Sequence, residues 1–362
     1  MNIDVVFEIL LHLPVRSLFR FRAVCKLWCY DIDSPHFIKL HTLLRRNNYI
    51  KDEEVYLRFI STYVDNSRNL KSISINLLGN GKKLLMSHKF PVYDLILSWA
   101  VKGLVCLSSP LGKSQVAICN PFLGQFKILP LPPYTSAQSS YHLDRVGLGF
   151  DEYYKVVHLR QCNSQRCLLA RLYSERTNSW SNLDIDQDLV IQSPIKSWCK
   201  NGSFVHWEGR RGIYYKKIIV SFDMKNEEFR TTSISSLMGD EVFYYSSGFR
   251  VLAKSDFSFV ILVFDRQRLK VYESSGEGSE LVWNNVSNVE LKPFWRRKIL
   301  ESDDIPIWRN DDRVVVRGSK YREVILYDYH ARKLIRRFNI HTSSSSTSPD
   351  DIIEYEGSLI SP

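Results

Sequence analysis

Four pairs of large residues, each pair seven positions apart, impose a repeating pattern on most of this chain. They are Cys119 and Phe126, Tyr173 and Trp180, Phe222 and Phe229, and Tyr327 and Leu334. In each, an apolar run enters a polar turn and a second run leaves it with a large side chain first. The stretch Val220-Ser221-Phe222-Asp223-Met224-Lys225-Asn226-Glu227-Glu228-Phe229 shows the design most clearly. Runs of β-branched and aromatic residues joined by such a turn specify a β-hairpin. Tyr272 to Trp283 reads as a fifth copy with a longer, glycine-containing turn at Ser274 to Gly278. With it included, the first positions follow one another at intervals of 54, 49, 50 and 55 residues. Leu77 and Leu84 are also seven apart, so the segment 70–90 reads as a further, poorer copy.

A single hairpin cannot cover its own apolar faces, whereas stacked copies cover one another. A period of about 50 residues with one sure hairpin each is the pattern of kelch-like β-propeller blades. The remaining residues of each period supply inner strands: Gly103 to Leu107, Val146 to Phe150, Gly202 to Trp207 and Arg313 to Val316. The expectation is a propeller of about five or six blades over 71–362. Hydrophobic residues make up 44% of the chain and aromatic ones 13%, enough for a core of that size.

Ahead of this region the periodicity is helical. Val5, Val6, Ile9, Leu10 and Leu13 form an apolar face at helical spacing, and Pro14 ends that helix and suits the first turn of the next. Val15, Leu18 and Phe21 share one side of a second helix, with Arg16 and Arg20 elsewhere on it. A third segment carries Val24, Leu27 and Trp28. Ser34-Pro35 reads as a cap and first-turn proline opening a fourth helix, with Phe37, Leu40, His41 and Leu44 on one face. A module this short cannot hide so many apolar side chains alone, so part of its surface is expected to be completed by a partner. The fold class is thus α plus all-β: helical residues 1–45, a connector 46–70, and the β region 71–362.

The run from Phe7 to Trp28, followed by Ser34-Pro35 and Phe37, resembles the plant F-box. That family's pattern runs roughly Glu-Ile-Leu-x-Arg-Leu-Pro-Val-Lys-Ser-Leu-x-Arg-Phe-Arg-x-Val-Cys-Lys-x-Trp. The likeness spans about Asp4 to His41, and Met1-Asn2 stand where the family usually opens with Leu-Pro. The β region is similar to the F-box-associated domain. The matching pieces include Gly103 to Leu107, Asn120-Pro121, Leu129-Pro130, Gly149-Phe150-Asp151 and Tyr154 to Val157. Others are Asn201-Gly202 with His206-Trp207, Ser221-Phe222-Asp223 and the closing Glu356 to Pro362. Cys119 departs from it, standing where a Trp before Asn-Pro is common.

What the first resemblance implies is docking on the Skp-type adaptor of a Skp–cullin–F-box ubiquitin ligase, and through it contact with cullin and RING subunits. The adaptor-binding residues it implies are Leu10, Leu13, Pro14, Leu18, Val24, Cys25, Lys26 and Trp28. Pro14 and Trp28 lead that set, because a rigid ring in a desolvated pocket is the usual hot-spot type. The second resemblance implies that the β region captures an unidentified target protein. The alternative is a stand-alone propeller binding carbohydrate or nucleic acid, with a degenerate F-box.

Other classes find little support. No Gly-x-Ser-x-Gly, His-Glu-x-x-His or dinucleotide-binding fingerprint occurs, and the nine histidines are scattered. Gly112-Lys113-Ser114 lacks the earlier glycine of a phosphate loop, since position 107 is Leu107. The pairs Cys162/Cys167 and Cys25/Cys29 lack a second pair at zinc spacing and read as buried thiols, so no metal and no cofactor is expected. Seven cysteines, an odd number, suit a reducing compartment. No leader-like stretch opens the chain, because Asp4 and Glu8 interrupt the first helix. The longest apolar stretch, Phe257 to Phe264, is strand-sized, so no membrane contact is expected and the location is cytosol, nucleus or both. The net charge of +10 favours acidic partners. Arg210-Arg211, Trp295 to Lys298 and Arg332 to Arg337 are basic clusters without a nucleic-acid motif, so nucleic acid is not the expected ligand. Ser343 to Ser348 reads as a loop between late strands.

Overall fold

A computed structural model describes residues 3–46, 56–64, 69–78, 84–90, 96–109, 115–134, 142–162, 167–194, 202–212, 216–234, 249–264, 268–276, 281–290, 307–309, 313–317, 323–328, 333–339, 352–354 and 357–362. The chain divides into two compact units, 1–131 with 350–362, and 132–349.

The first unit opens with four helices: α1 (Ile3–Leu11), α2 (Val15–Phe21), α3 (Lys26–Asp33) and α4 (Pro35–Arg46). Their boundaries follow the sequence. Pro14 sits at the cap of α2 with extended ψ, and its carbonyl accepts the Ser17 and Leu18 amides at 2.9 and 3.1 Å. Ser34 caps α4 as expected, its Oγ accepting from the Phe37 amide at 3.2 Å. The core of the module is Leu10, Leu11, Val15, Leu18, Ile32 and Phe37, all buried. Phe7 packs edge-on to Phe37 with centroids 5.3 Å apart.

Among the described residues, all strand pairings are antiparallel, in six four-stranded sheets. The first unit holds two. One is built from β1 (Tyr56–Val64), β2 (Asn69–Leu78) and β3 (Leu84–Phe90), with β24 (Ile352–Glu354) laid beside β1. The other runs β4 (Ile96–Val101), β5 (Leu104–Ser108), β6 (Val116–Asn120) and β7 (Gln125–Ile128). Every residue of β5 and β6 is buried, while β7 is half-exposed and forms the solvent side of the sheet.

The second unit holds four sheets, each a simple meander. The first is β8 (His142–Phe150), β9 (Tyr154–Cys162), β10 (Cys167–Ser174) and β11 (Ser179–Leu183). The next is β12 (Leu189–Pro194), β13 (Phe204–Arg211), β14 (Lys216–Asp223) and β15 (Glu228–Ser233). A third comprises β16 (Phe249–Ala253), β17 (Phe259–Phe264), β18 (Arg268–Ser275) and β19 (Val282–Glu290). The last is β20 (Ile307–Arg309), β21 (Arg313–Arg317), β22 (Glu323–Asp328) and β23 (Lys333–Asn339).

The seven-residue pairs are register partners. Cys119 faces Phe126, Tyr173 faces Trp180, Phe222 faces Phe229 and Tyr327 faces Leu334, each across the outer hairpin of its sheet. The fifth copy differs in detail. Its longer turn sets Ser274 opposite Trp283 and Tyr272 opposite Asn285, and a bulge follows between Tyr272 and Val271. In the sixth, Leu77 faces Met86 and Leu78 faces Leu84, again across a bulge. The stretch 46–70, read as a connector, contains all of β1 and the start of β2. It is strand because β2 and β24 supply partners on both sides. Trp295 to Lys298, Gly112 to Ser114 and Ser343 to Ser348 lie outside the described residues.

Within the second unit, neighbouring sheets are joined by a small set of residues. A Cβ on Gly149 would stand 2.5 Å from Met224 Cε and 2.6 Å from the Gly202 carbonyl, so only glycine lets the two sheets meet there. The Phe150 amide donates to that carbonyl at 2.7 Å. Lys155 Nζ donates to the Met224 carbonyl and Glu227 Oε1, both at 2.8 Å, and lies 2.5 Å from Asp151 Oδ2. Burial alone would lower its pKa, but its hydrogen bonds to Asp151 and Glu227 and their charges outweigh burial and raise it. Farther along, Glu208 Oε1 accepts the Val251 amide at 3.2 Å, and His206 lies edge-on to Phe259 at 5.0 Å. Trp207 and His206 are fully buried, as an inner-strand packing pair should be.

Candidate functional site

The helical module uses part of its apolar surface for itself and leaves part outward. Of the α1 face, Leu10 points into the core, while Val5 and Ile9 are each 51% exposed. Leu18 is fully buried. Leu10 and Leu18 therefore hold the surface up from beneath and do not face outward. Leu13 and Pro14 are half-buried at the turn between α1 and α2. His41 of α4 fixes that turn. Its Nε2 lies 2.9 Å from the Leu13 carbonyl, which can only accept, so the nitrogen carries the proton.

The segment between α2 and α3 is the most outward part. Ala23, Val24, Cys25, Lys26 and Leu27 are exposed in succession, Val24 by 59% and Leu27 by 48%. Trp28 is half-buried, its ring edge-on to Phe21 at 5.5 Å, which fixes the indole plane. Cys25 caps α3: its Sγ accepts from the Trp28 amide at 3.5 Å. It is thus an exposed cap, where the spacing of the cysteines alone suggested a buried thiol. Arg22 braces the segment through Asp33, with Nη2 to Oδ2 and Nε to Oδ1 both at 2.8 Å. The guanidinium of Arg22 also lies over the Phe19 ring at 5.8 Å.

Of the eight residues singled out from the sequence, Val24, Cys25 and Lys26 thus form one exposed run, beside half-buried Trp28. Leu13 and Pro14 form the pinned turn. The structure adds Leu27 and Tyr30, the latter 76% exposed on α3, to the outward apolar set. Their signal was present in the sequence, since Leu27 falls three residues from both Val24 and Tyr30. An exposed cluster of this kind, rimmed by Arg20 and Lys26, can bury apolar area against a partner and attract an acidic one. Among the described residues no group of His, Cys, Asp or Glu is arranged to hold a metal ion.

A family model described as the F-box associated beta propeller domain matches residues 51–247, more than half of the chain. The chain belongs to this family. The F-box domain model matches residues 1–40, which cover α1 to α3 and the first half of α4. F-box protein At5g49610 of Arabidopsis thaliana is 23% identical over 363 residues, covering 94% of this chain and 92% of that protein. The F-box/kelch-repeat protein At3g23880 of the same plant is 27% identical over 241 residues, 63% of this chain and 64% of its own. Among solved structures, the Dos1 propeller has a TM-score of 0.42 at 10% identity, over 79% of this chain and 68% of that one.

In this F-box protein the motif pieces of the β region turn out to be joints. Gly149, Lys155 and Gly202 tie two sheets together, and Asp223 organises the β14–β15 turn. Its Oδ1 accepts the Lys225 and Asn226 amides at 2.9 and 3.1 Å.

Proposed function

We propose that the protein is the substrate-recognition subunit of a Skp–cullin–F-box ubiquitin ligase. Its helical module docks on the Skp-type adaptor and, through it, on the cullin and RING subunits. Its β region captures a target protein. The chain itself performs no chemistry. It contributes proximity, raising the effective concentration of target lysines near a charged conjugating enzyme held elsewhere in the assembly. The site of action is the cytosol, the nucleus or both.

The observation that carries this reading is the exposed run Ala23 to Leu27 beside the half-buried Trp28, in a module whose own core is closed without it. Burying Val24, Leu27 and the rest of the indole contributes on the order of 5 kcal/mol before association costs. The match of residues 1–40 to the F-box domain model supports the identity of the partner. Leu13, Pro14, Val24, Cys25, Lys26 and Trp28 are the contacting residues in this reading, with Leu10 and Leu18 beneath them.

Co-precipitation with a purified Skp-type adaptor tests it. The wild-type chain recovers adaptor, and the double variant Pro14→Ser, Trp28→Ala does not. Undiminished recovery by the double variant contradicts the interface. Failure of the wild-type chain to bind any adaptor favours a stand-alone β module.

A further inference from the structure

Two motif pieces, Asn120 and the stretch 357–362, lie almost 240 residues apart in sequence and meet in space. Asn120 is fully buried at the end of β6. Its Nδ2 donates to the Ser358 carbonyl at 2.9 Å and to the Ile360 carbonyl at 2.8 Å. Its Oδ1 accepts the Phe122 and Leu123 amides at 2.9 and 3.3 Å, which shapes the β6–β7 turn. One amide group thus holds a turn with its oxygen and a distant strand of backbone with its nitrogen.

The rest of the contact is built to match. Gly357 lies on the Phe122 ring so closely that a Cβ would stand 2.3 Å from ring carbons. Leu359 is buried, and Ser361 Oγ donates to Gln125 Oε1 at 2.8 Å. Carbonyls two residues apart, both bound by one buried side-chain amide, amount to recognition of that segment through its main chain.

We propose that the β6–β7 hairpin is a peptide-binding groove whose ligand is the chain's own segment 357–362, acting as a clasp. The clasp is required for the hairpin to close and is not required by the helical module. The hairpin of residues 116–128 therefore becomes stable only once segment 357–362 has been made. The ligand class is a short extended peptide with a glycine against an aromatic ring and two free carbonyls after it.

The test uses the chain shortened to residue 356, followed by hydrogen exchange, with and without a synthetic peptide of residues 357–362. Shortening is expected to raise exchange of the β6 and β7 amides at least about tenfold, with β14 and α2 unchanged. Added peptide restores protection. In the shortened chain carrying Asn120→Asp, which keeps the Oδ1 bonds and removes the Nδ2 donors, the peptide restores nothing. Unchanged exchange after shortening overturns the proposal, and so does rescue of the Asn120→Asp variant. If shortening also unprotects β14 and the peptide reverses neither loss, the segment is a general stabiliser and the groove is refuted.

Discussion

Two buried histidines make the second unit sensitive to mild acid. His158 is held between Tyr134, whose hydroxyl lies 2.8 Å from Nδ1, and Asp144, whose Oδ2 lies 3.8 Å from Nε2. Burial, with Arg160 adding to it and Asp144 opposing it, pushes its pKa down to about 4. His206 shares one hydrogen bond with Ser221 Oγ at 2.8 Å, and its Nε2 has no hydrogen-bond partner among the described residues. A second proton there would be a buried donor with nothing to receive it, and burial pushes the pKa down to about 3. The unfolded chain titrates near 6.5, so it binds more protons than the folded one between that value and the depressed ones. Stability is therefore complete above about pH 6.5 and falls as the pH drops. Between pH 7 and pH 5 each histidine removes on the order of 2 kcal/mol, ~4 for the pair. Urea unfolding at the two pH values measures the loss. The variant His206→Gln, whatever its absolute stability, should lose ~2 kcal/mol less than wild type over that interval. Equal losses in variant and wild type refute the assignment of a buried neutral imidazole.

Other consequences follow from the joints and caps. Gly149→Ala forces a methyl against Met224 and the Gly202 carbonyl and should lower stability by ~2–4 kcal/mol in denaturant titration, with a loss under ~0.5 counting against the joint. Lys155→Met leaves the Met224 carbonyl and two carboxylates without their donor. It should destabilise the second unit by about 2–3 kcal/mol, whereas exposed Lys225→Met should shift the urea midpoint little. Cys25→Ser retains a cap acceptor for the Trp28 amide, but Cys25→Ala removes it. The alanine variant should be the less stable by ~1 kcal/mol in thermal melts of the full chain, and equal melts would argue against the cap.

Much of the fold was legible because it is local. A tight turn fixes the register of a hairpin, so large residues flanking it at a constant spacing find each other, as Phe222 and Phe229 do. Where the turn is longer, as between Tyr272 and Trp283, the pattern names the hairpin but misses the partner of Tyr272 by two residues. β1 was counted in the connector, and its second pairing, with β24 nearly 300 residues on, is one that no local pattern reports. The helical face was read with Val5, Val6, Ile9 and Leu10 together. Helical spacing cannot say which of two adjacent rows turns inward; in the folded module Leu10 is buried and Ile9 is exposed. The outward segment was readable from residue order around Val24 to Trp28, whereas the role of Cys25 as a cap needed the backbone of α3. Nothing local couples Asn120 to Ser358.

Calorimetric titration of the full chain with a purified Skp-type adaptor tests the central claim most directly. Val24→Glu and Leu27→Glu place charge on exposed apolar positions, so the fold tolerates them, while Leu43→Glu does the same on α4, outside the run 23–28. Val24→Glu with Leu27→Glu is expected to bind at least about 100-fold more weakly, corresponding to ~3 kcal/mol, while Leu43→Glu keeps wild-type affinity. Wild-type affinity in the Val24→Glu, Leu27→Glu chain, with its helices intact by circular dichroism, would contradict it.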